Sequence, residues 1–182
     1  DVIPTSQGDL EITFLGHGSL LFTYNGTVIA VDPYSKVADY ASLPKADLIL
    51  ITHQHQDHLD PGAINPIRTE KTVVLANAAA ADKVPGAVAM KNWDAKTFKA
   101  AGERSPEIEV AAVPAYNLVH MRSPGVPFHP KGEGNGYLLK FGDKRVYVAG
   151  DTENIPEMKE FAGVDVAFLP MNLPYTMTPE MV

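Results

Sequence analysis

The sequence predicts a mixed α/β fold, two β-sheets packed as a sandwich and covered by helices. Three observations carry this. Strand signals come first and read as a meander. Further strands then alternate with helix signals. And 45% of the 182 residues are hydrophobic, enough for a sizeable core in one domain spanning 1–182. No internal repeat, low-complexity tract or domain-splitting linker interrupts it.

Taken in order, Glu11 to Leu15 and Ser19 to Tyr24 read as strands around Gly16-His17-Gly18, and Asn25-Gly26 is a hairpin turn before Val28 to Val31. Leu48 to Ile51 is a buried strand fed by the short loop Leu43 to Asp47. Asp60 then caps a helix with Pro61 at its first position and Ile64 and Ile67 on its inner face. Thr72 to Ala76 is a strand, and Asn77 caps an Ala-rich helix from Ala78 to Val84. Ala87 to Met90 and Ile108 to Val113 follow as strands. Pro114 to Gly134 is a long Pro- and Gly-rich connection, of the kind that carries function. Gly136 to Phe141 and Lys144 to Ala149 pair across Gly142-Asp143; a helix runs from Pro156 to Ala162, closed by Gly163; Val164 to Leu169 is a last buried strand. Thr178 looks like the cap of a further helix.

The chemistry concentrates in Thr52-His53-Gln54-His55-Gln56-Asp57-His58, directly after the apolar strand Leu48 to Ile51. Extended backbone sends alternate side chains to one side, so His53, His55 and Asp57 are expected to project together while His58 faces elsewhere. That arrangement suits two adjacent metal ions, His53 and His55 on one, Asp57 and His58 on the other. Imidazole and carboxylate are ligands that zinc accepts.

The His-x-His-x-Asp-His pattern after an apolar strand resembles the metal motif of the metallo-β-lactamase fold superfamily. The resemblance implies an αββα sandwich with one or two divalent metals at its edge, zinc foremost, with manganese or iron as alternatives. It implies further residues. Asp151, in Tyr147 to Thr152, matches an aspartate that bridges both metals. The common position of a third histidine is held here by Tyr116-Asn117, leaving His120 and His129 as candidates. Phe128-His129-Pro130-Lys131-Gly132, with Pro114-Ala115-Tyr116-Asn117, resembles a branch of uncharacterised metal-dependent hydrolases and favours His129. His17, flanked by glycines, resembles another feature of that branch and is expected near the metals. Asp32 matches a carboxylate that buttresses the metal loop. The superfamily's last ligand is a histidine near the C-terminus, and none follows His129; the expectation is a chain truncated at that end.

The implied chemistry is hydrolysis by a metal-bound hydroxide of a small metabolite, a lactone, ester or phosphodiester. His53, His55 and His129 hold one metal, Asp57 and His58 the other, and Asp151 both. Asp57, Asp151 and His17 are the catalytic candidates. Lys131, Arg122 and the Gly132 to Gly136 loop are candidates for an anionic group, and Tyr116, Asn117 and Tyr175 for a pocket lining. The alternatives are a nuclease of the same fold and a metal-binding protein without catalysis. Net charge −7, with 15 basic against 22 acidic residues and no basic cluster, argues against a nucleic-acid partner. No apolar run approaches the ~20 residues of a membrane span, so no membrane partner is expected. There is no cysteine, so thiolate ligands and disulfides are excluded. The start at Asp1 leaves localisation between the cytoplasm and export after removal of a signal, and favours the latter. Oligomeric state is not legible.

Overall fold

The computed structural model describes residues 1–100 and 105–182. Its strands, in chain order, are β1 (Val2–Thr5), β2 (Gly8–Gly16), β3 (Ser19–Tyr24), β4 (Thr27–Val31), β5 (Leu48–Ile51), β6 (Val73–Ala76), β7 (Val88–Ala89), β8 (Ala95–Lys99), β9 (Glu107–Ala115), β10 (Met121–Ser123), β11 (Val126–Pro127), β12 (Gly134–Phe141), β13 (Lys144–Val148) and β14 (Val166–Phe168). They form a seven-stranded sheet in the order β1-β2-β3-β4-β5-β6-β7, a five-stranded sheet in the order β14-β13-β12-β9-β8, and the small hairpin β10-β11.

The all-apolar β5 explains the layering. Leu48 and Leu50 join Phe22, Ile29 and Val31 against Val110, Tyr137 and Phe141 of the second sheet. Ile49 and Ile51 point the other way, onto Ala63, Ile64 and Ile67 of α1 (Pro61–Ile67) and Ala80 of α2 (Ala78–Ala81). A strand covered on both faces has no solvent side, hence no polar alternation. Val113, Tyr147 and Ala149 face outward from the second sheet and are covered by Phe161.

The direction of the strands brings the functional loops to one rim. In the first sheet β4, β5 and β6 are parallel. Because β3 is antiparallel to both β2 and β4, the ends of β2, β4 and β5 share that rim. In the second sheet β12 is antiparallel to both β9 and β13, so β9 and β13 end together. The sheets are tied there by Asn135 N–H donating to Thr52 O at 2.9 Å and by Tyr137 O–H donating to Ile51 O at 2.8 Å.

Several expectations are corrected. The helix expected from Ala78 to Val84 is α only over Ala78–Ala81. Lys83 and Val84 then bond three residues back, because Pro85 excludes α conformation from the residue before it. The helix expected from Pro156 to Ala162 is a 3-10 turn, Pro156–Phe161, with no side-chain cap. The last strand is half-exposed rather than buried, since β14 pairs on one side only. Thr178 opens a single turn closed by Met181 N–H, not a helix. Strands β1 and β8 were not legible; both are edge strands with largely exposed side chains.

Candidate metal centre

The rim collects two groups of side chains. His53, His55, His129 and Asp151 each place a ligand atom within 4.8 Å of the others, and His17, Asp57 and His58 do the same. The loop after β5 thus divides between them. It does so because the chain turns rather than staying extended, with His58 N–H and Leu59 N–H both bonding to His55 O at 3.0 and 2.8 Å. The expected alternation is therefore corrected. His53 and His55 stay together, but Asp57 joins His58 in the other group.

In the first group, Thr52 Oγ1 spends its proton on Asp32 Oδ2 at 2.6 Å and so accepts from His53 Nδ1 at 3.0 Å. That fixes the tautomer of His53 and leaves the Nε2 lone pair turned inward, 2.9 Å from His55 Nδ1. Burial, with the neighbouring His58, holds the His53 pKa well below the ordinary imidazole value, against the opposing pull of Asp151. Burial and His129 lower that of His55. Both are thereby neutral, as metal ligation requires.

Asp151 reaches this group from the end of β13. Gly150 has φ +64, and a Cβ there would lie 3.0 Å from Asn135 O and from Thr52 Cβ. Only glycine lets the two sheets close this far. Asp151 Oδ2 then sits 3.3 Å from His129 Nε2 and 3.9 Å from His53 Nε2, while Oδ1 sits 3.5 Å from His58 Nε2.

In the second group His58 is fully buried, and its Nδ1 donates to Asp32 Oδ2 at 2.7 Å. Asp32 Oδ1 accepts from Thr52 N–H at 2.8 Å, so one buried carboxylate braces both the strand end and the ring. Gly18 makes room, since a Cβ there would approach His58 Cε1 to 3.1 Å. Burial disfavours charge on His58, yet Asp32 and Asp151 together raise its pKa well above the usual imidazole value. His17, in left-handed conformation at φ 52, places Nε2 2.9 Å from Asp57 Oδ2.

His129 and His120, the two candidates for a third histidine, are placed differently. His129 is buried in the first group, whereas His120 Nδ1 lies 2.5 Å from Glu153 Oε1, outside both groups. Asn117, at the position where a histidine was looked for, accepts from the backbone N–H and ring Nδ1 of His129 at 2.8 and 2.7 Å. Glu153 was missed altogether. It carries no metal-motif spacing, and its partners, three main-chain N–H groups and the side chains of Asn117 and His120, lie in a distant loop.

The donor set fits a divalent cation. His58 Nε2 is buried without a hydrogen-bond partner among the described residues, and it faces Asp57 and Asp151. A cation is the partner that would satisfy it and the two carboxylates together. Clefts open on either side. One of about 600 Å³ is lined by His17, His58, Asp151, Phe168 and Met171. The other, of about 240 Å³, is lined by His53, His55, Arg122, Phe128, His129 and Glu133. Lys131 is not in either lining; it pairs with Glu157 at 2.7 Å and with Tyr116 Oη at 3.2 Å. Tyr116 is buried, and the Tyr175 ring packs edge-on to Phe128 at 4.9 Å.

Comparison with known proteins identifies the family. The family model described as a beta-lactamase superfamily domain matches residues 11–182. A UPF0173 metal-dependent hydrolase of Enterococcus faecalis is 34% identical over 182 residues, which cover 94% of this chain and 78% of that protein. The crystal structure of a protein named as a metal-dependent hydrolase from Parabacteroides distasonis is 46% identical. It superimposes with a TM-score of 0.89 over 100% of this chain and 79% of that one. Igni18, a metallo hydrolase from Ignicoccus hospitalis, is 26% identical, with a TM-score of 0.71 over 94% of this chain and 75% of its own. With its two packed sheets and its histidine and aspartate rim, the chain belongs to the UPF0173 metal-dependent hydrolases of the beta-lactamase superfamily.

Proposed function

We propose that this metal-dependent hydrolase works with two divalent ions, zinc foremost and manganese or iron as alternatives, on a small lactone, ester or phosphodiester. The observation that carries the two-ion reading is the placement of Asp151. Its two oxygens face different groups, Oδ2 toward His129 and His53, Oδ1 toward His58. Bound there, divalent metals supply an acidified water as nucleophile and polarise the bond to be broken.

The chain's own residues do the rest. His53, His55 and His129 would hold one ion and Asp57 and His58 the other, and Asp151 has an oxygen turned toward each group. Asp57 is the more exposed carboxylate, and its Oδ2 lies 2.9 Å from His17 Nε2. It is placed to take a proton from water, and His17 to orient it. Phe168 and Met171 give the cleft beside His17 and His58 an apolar side.

Elemental analysis of the purified chain tests the ion count, with close to two metals per chain expected. Turnover of esters, lactones and phosphodiesters is expected to depend on metal and to vanish in His55→Ala and Asp151→Ala. Undiminished turnover in folded forms of those variants refutes the reading.

A further inference from the structure

Glu153 is a buried carboxylate that the chemistry above does not use. Its side chain meets five donors. Oε2 accepts from the backbone N–H of Leu118 and of Val119, both at 2.7 Å. Oε1 accepts from the N–H of His120 at 2.7 Å, from His120 Nδ1 at 2.5 Å and from Asn117 Nδ2 at 3.1 Å. The backbone around it is tied to the same loop: Glu153 N–H donates to Tyr116 O at 3.0 Å, and Tyr116 N–H donates to Thr152 Oγ1 at 3.0 Å. The segment after β9 is thus fastened to the segment after β13, two residues beyond Asp151.

The consequence passes through one amide. Asn117 Nδ2 donates to Glu153 Oε1 and to Tyr175 O, so both its protons are committed and its oxygen must face His129. That oxygen accepts from the N–H and from the ring Nδ1 of His129. His129 therefore carries its ring proton on Nδ1 and presents a bare Nε2 to Asp151 and the histidines, 3.3 Å from Asp151 Oδ2. A carboxylate is suited to this post because it only accepts. A glutamine in its place would offer one accepting atom and turn an N–H₂ group against the N–H cluster.

We propose that Glu153 is a positioning residue that, acting through Asn117, fixes the tautomer of His129 and sets its distance from Asp151 for metal binding. The proposal rests on His129 being a metal ligand. It assigns a function to Asn117, at the position where the resemblance implies a histidine, and to Glu153 behind it.

The first test needs no substitution. Long-range ¹H–¹⁵N correlation spectra of the metal-free wild-type chain are expected to show His129 as the Nδ1–H tautomer; the Nε2–H form overturns the proposal. The second uses zinc alone, titrated against a chromophoric chelator. Glu153→Gln and Asn117→Ala are each expected to weaken zinc binding roughly 10- to 100-fold. The double variant is expected to bind no more weakly than Asn117→Ala, because the two act in series. Wild-type zinc affinity in Glu153→Gln, or losses that multiply in the double variant, overturns the proposal. His129→Ala separates the levels. If it binds zinc more weakly while Glu153→Gln does not, only this proposal fails; if His129→Ala binds zinc as the wild type does, the metal-centre reading fails with it. Should Glu153→Gln not fold, the tautomer and Asn117→Ala decide, the latter with wild-type affinity counting against.

Discussion

Asp32 Oδ2 lies 2.7 Å from His58 Nδ1, and both side chains are buried. The same carboxylate holds Thr52 through its N–H and its hydroxyl. Removing it leaves a buried imidazole and two strand-end donors without an acceptor. Asp32→Ala is expected to destabilise the metal-free chain by about 3–5 kcal/mol, the usual cost of breaking a buried pair from one side. Urea denaturation measures it, and a loss below about 1 kcal/mol contradicts the bracing role.

The histidines also predict a pH dependence for the metal-free chain. His53 and His55 have lowered pKa values, so below about 6.5 the unfolded chain takes up two protons that the folded chain refuses. Stability therefore falls as pH drops below that point. His58 has a raised pKa, so above about 6.5 the folded chain keeps a proton that the unfolded chain has lost. Its contribution is full at lower pH and disappears as pH climbs through the raised value. Stability in chelator is expected to peak near neutral pH, and His58→Ala is expected to flatten the alkaline side, with a smaller change on the acidic side where His58 helps hold the His53 pKa down. Urea midpoints between pH 5 and 9 decide, and an unchanged alkaline limb in His58→Ala refutes the assignment.

Gly150→Ala places a methyl group 3.0 Å from two backbone or side-chain neighbours at a φ of +64. A loss of about 2 kcal/mol or more is expected from strain and displacement. Because Asp151 is the next residue, the metal content is expected to fall in parallel. A folded variant with full metal content would show that the rim tolerates a wider gap.

Metal content also discriminates the two loop histidines. His129→Ala is expected to lose at least one ion per chain, whereas His120→Ala is expected to retain the wild-type ratio. Elemental mass spectrometry after dialysis reads both, and the reverse pattern would move the ligand assignment to His120.

What could be read in the chain followed how local the determinants were. Leu48 to Ile51 declares itself by composition, and the ligands after it lie within six positions, so that part of the centre was legible. Asp60 and Asn77 as helix caps were legible for the same reason: each bonds to N–H groups two or three residues on. The direction of Asp57 was not, because a turn bond between His55 O and Leu59 N–H replaces the extended backbone that alternation presumes. Strand β8 was hidden because Phe98 is its one buried side chain. Glu153 was hidden most deeply. Its donors sit 33 to 36 positions upstream, and three of them are main-chain N–H groups identical in every residue type but proline.

The rim also has a meaning for the polymer as a whole. His53 and His55 leave one sheet and Asp151 the other, and they stand roughly 100 residues apart along the chain, a separation at which a permanent link removes on the order of 4–5 kcal/mol of chain entropy from the unfolded ensemble. In a sequence without cysteine, an ion held by both ends acts as a reversible cross-link. On the two-ion reading, its release would return that freedom to the chain, so losing the metal would also lower the stability of the fold.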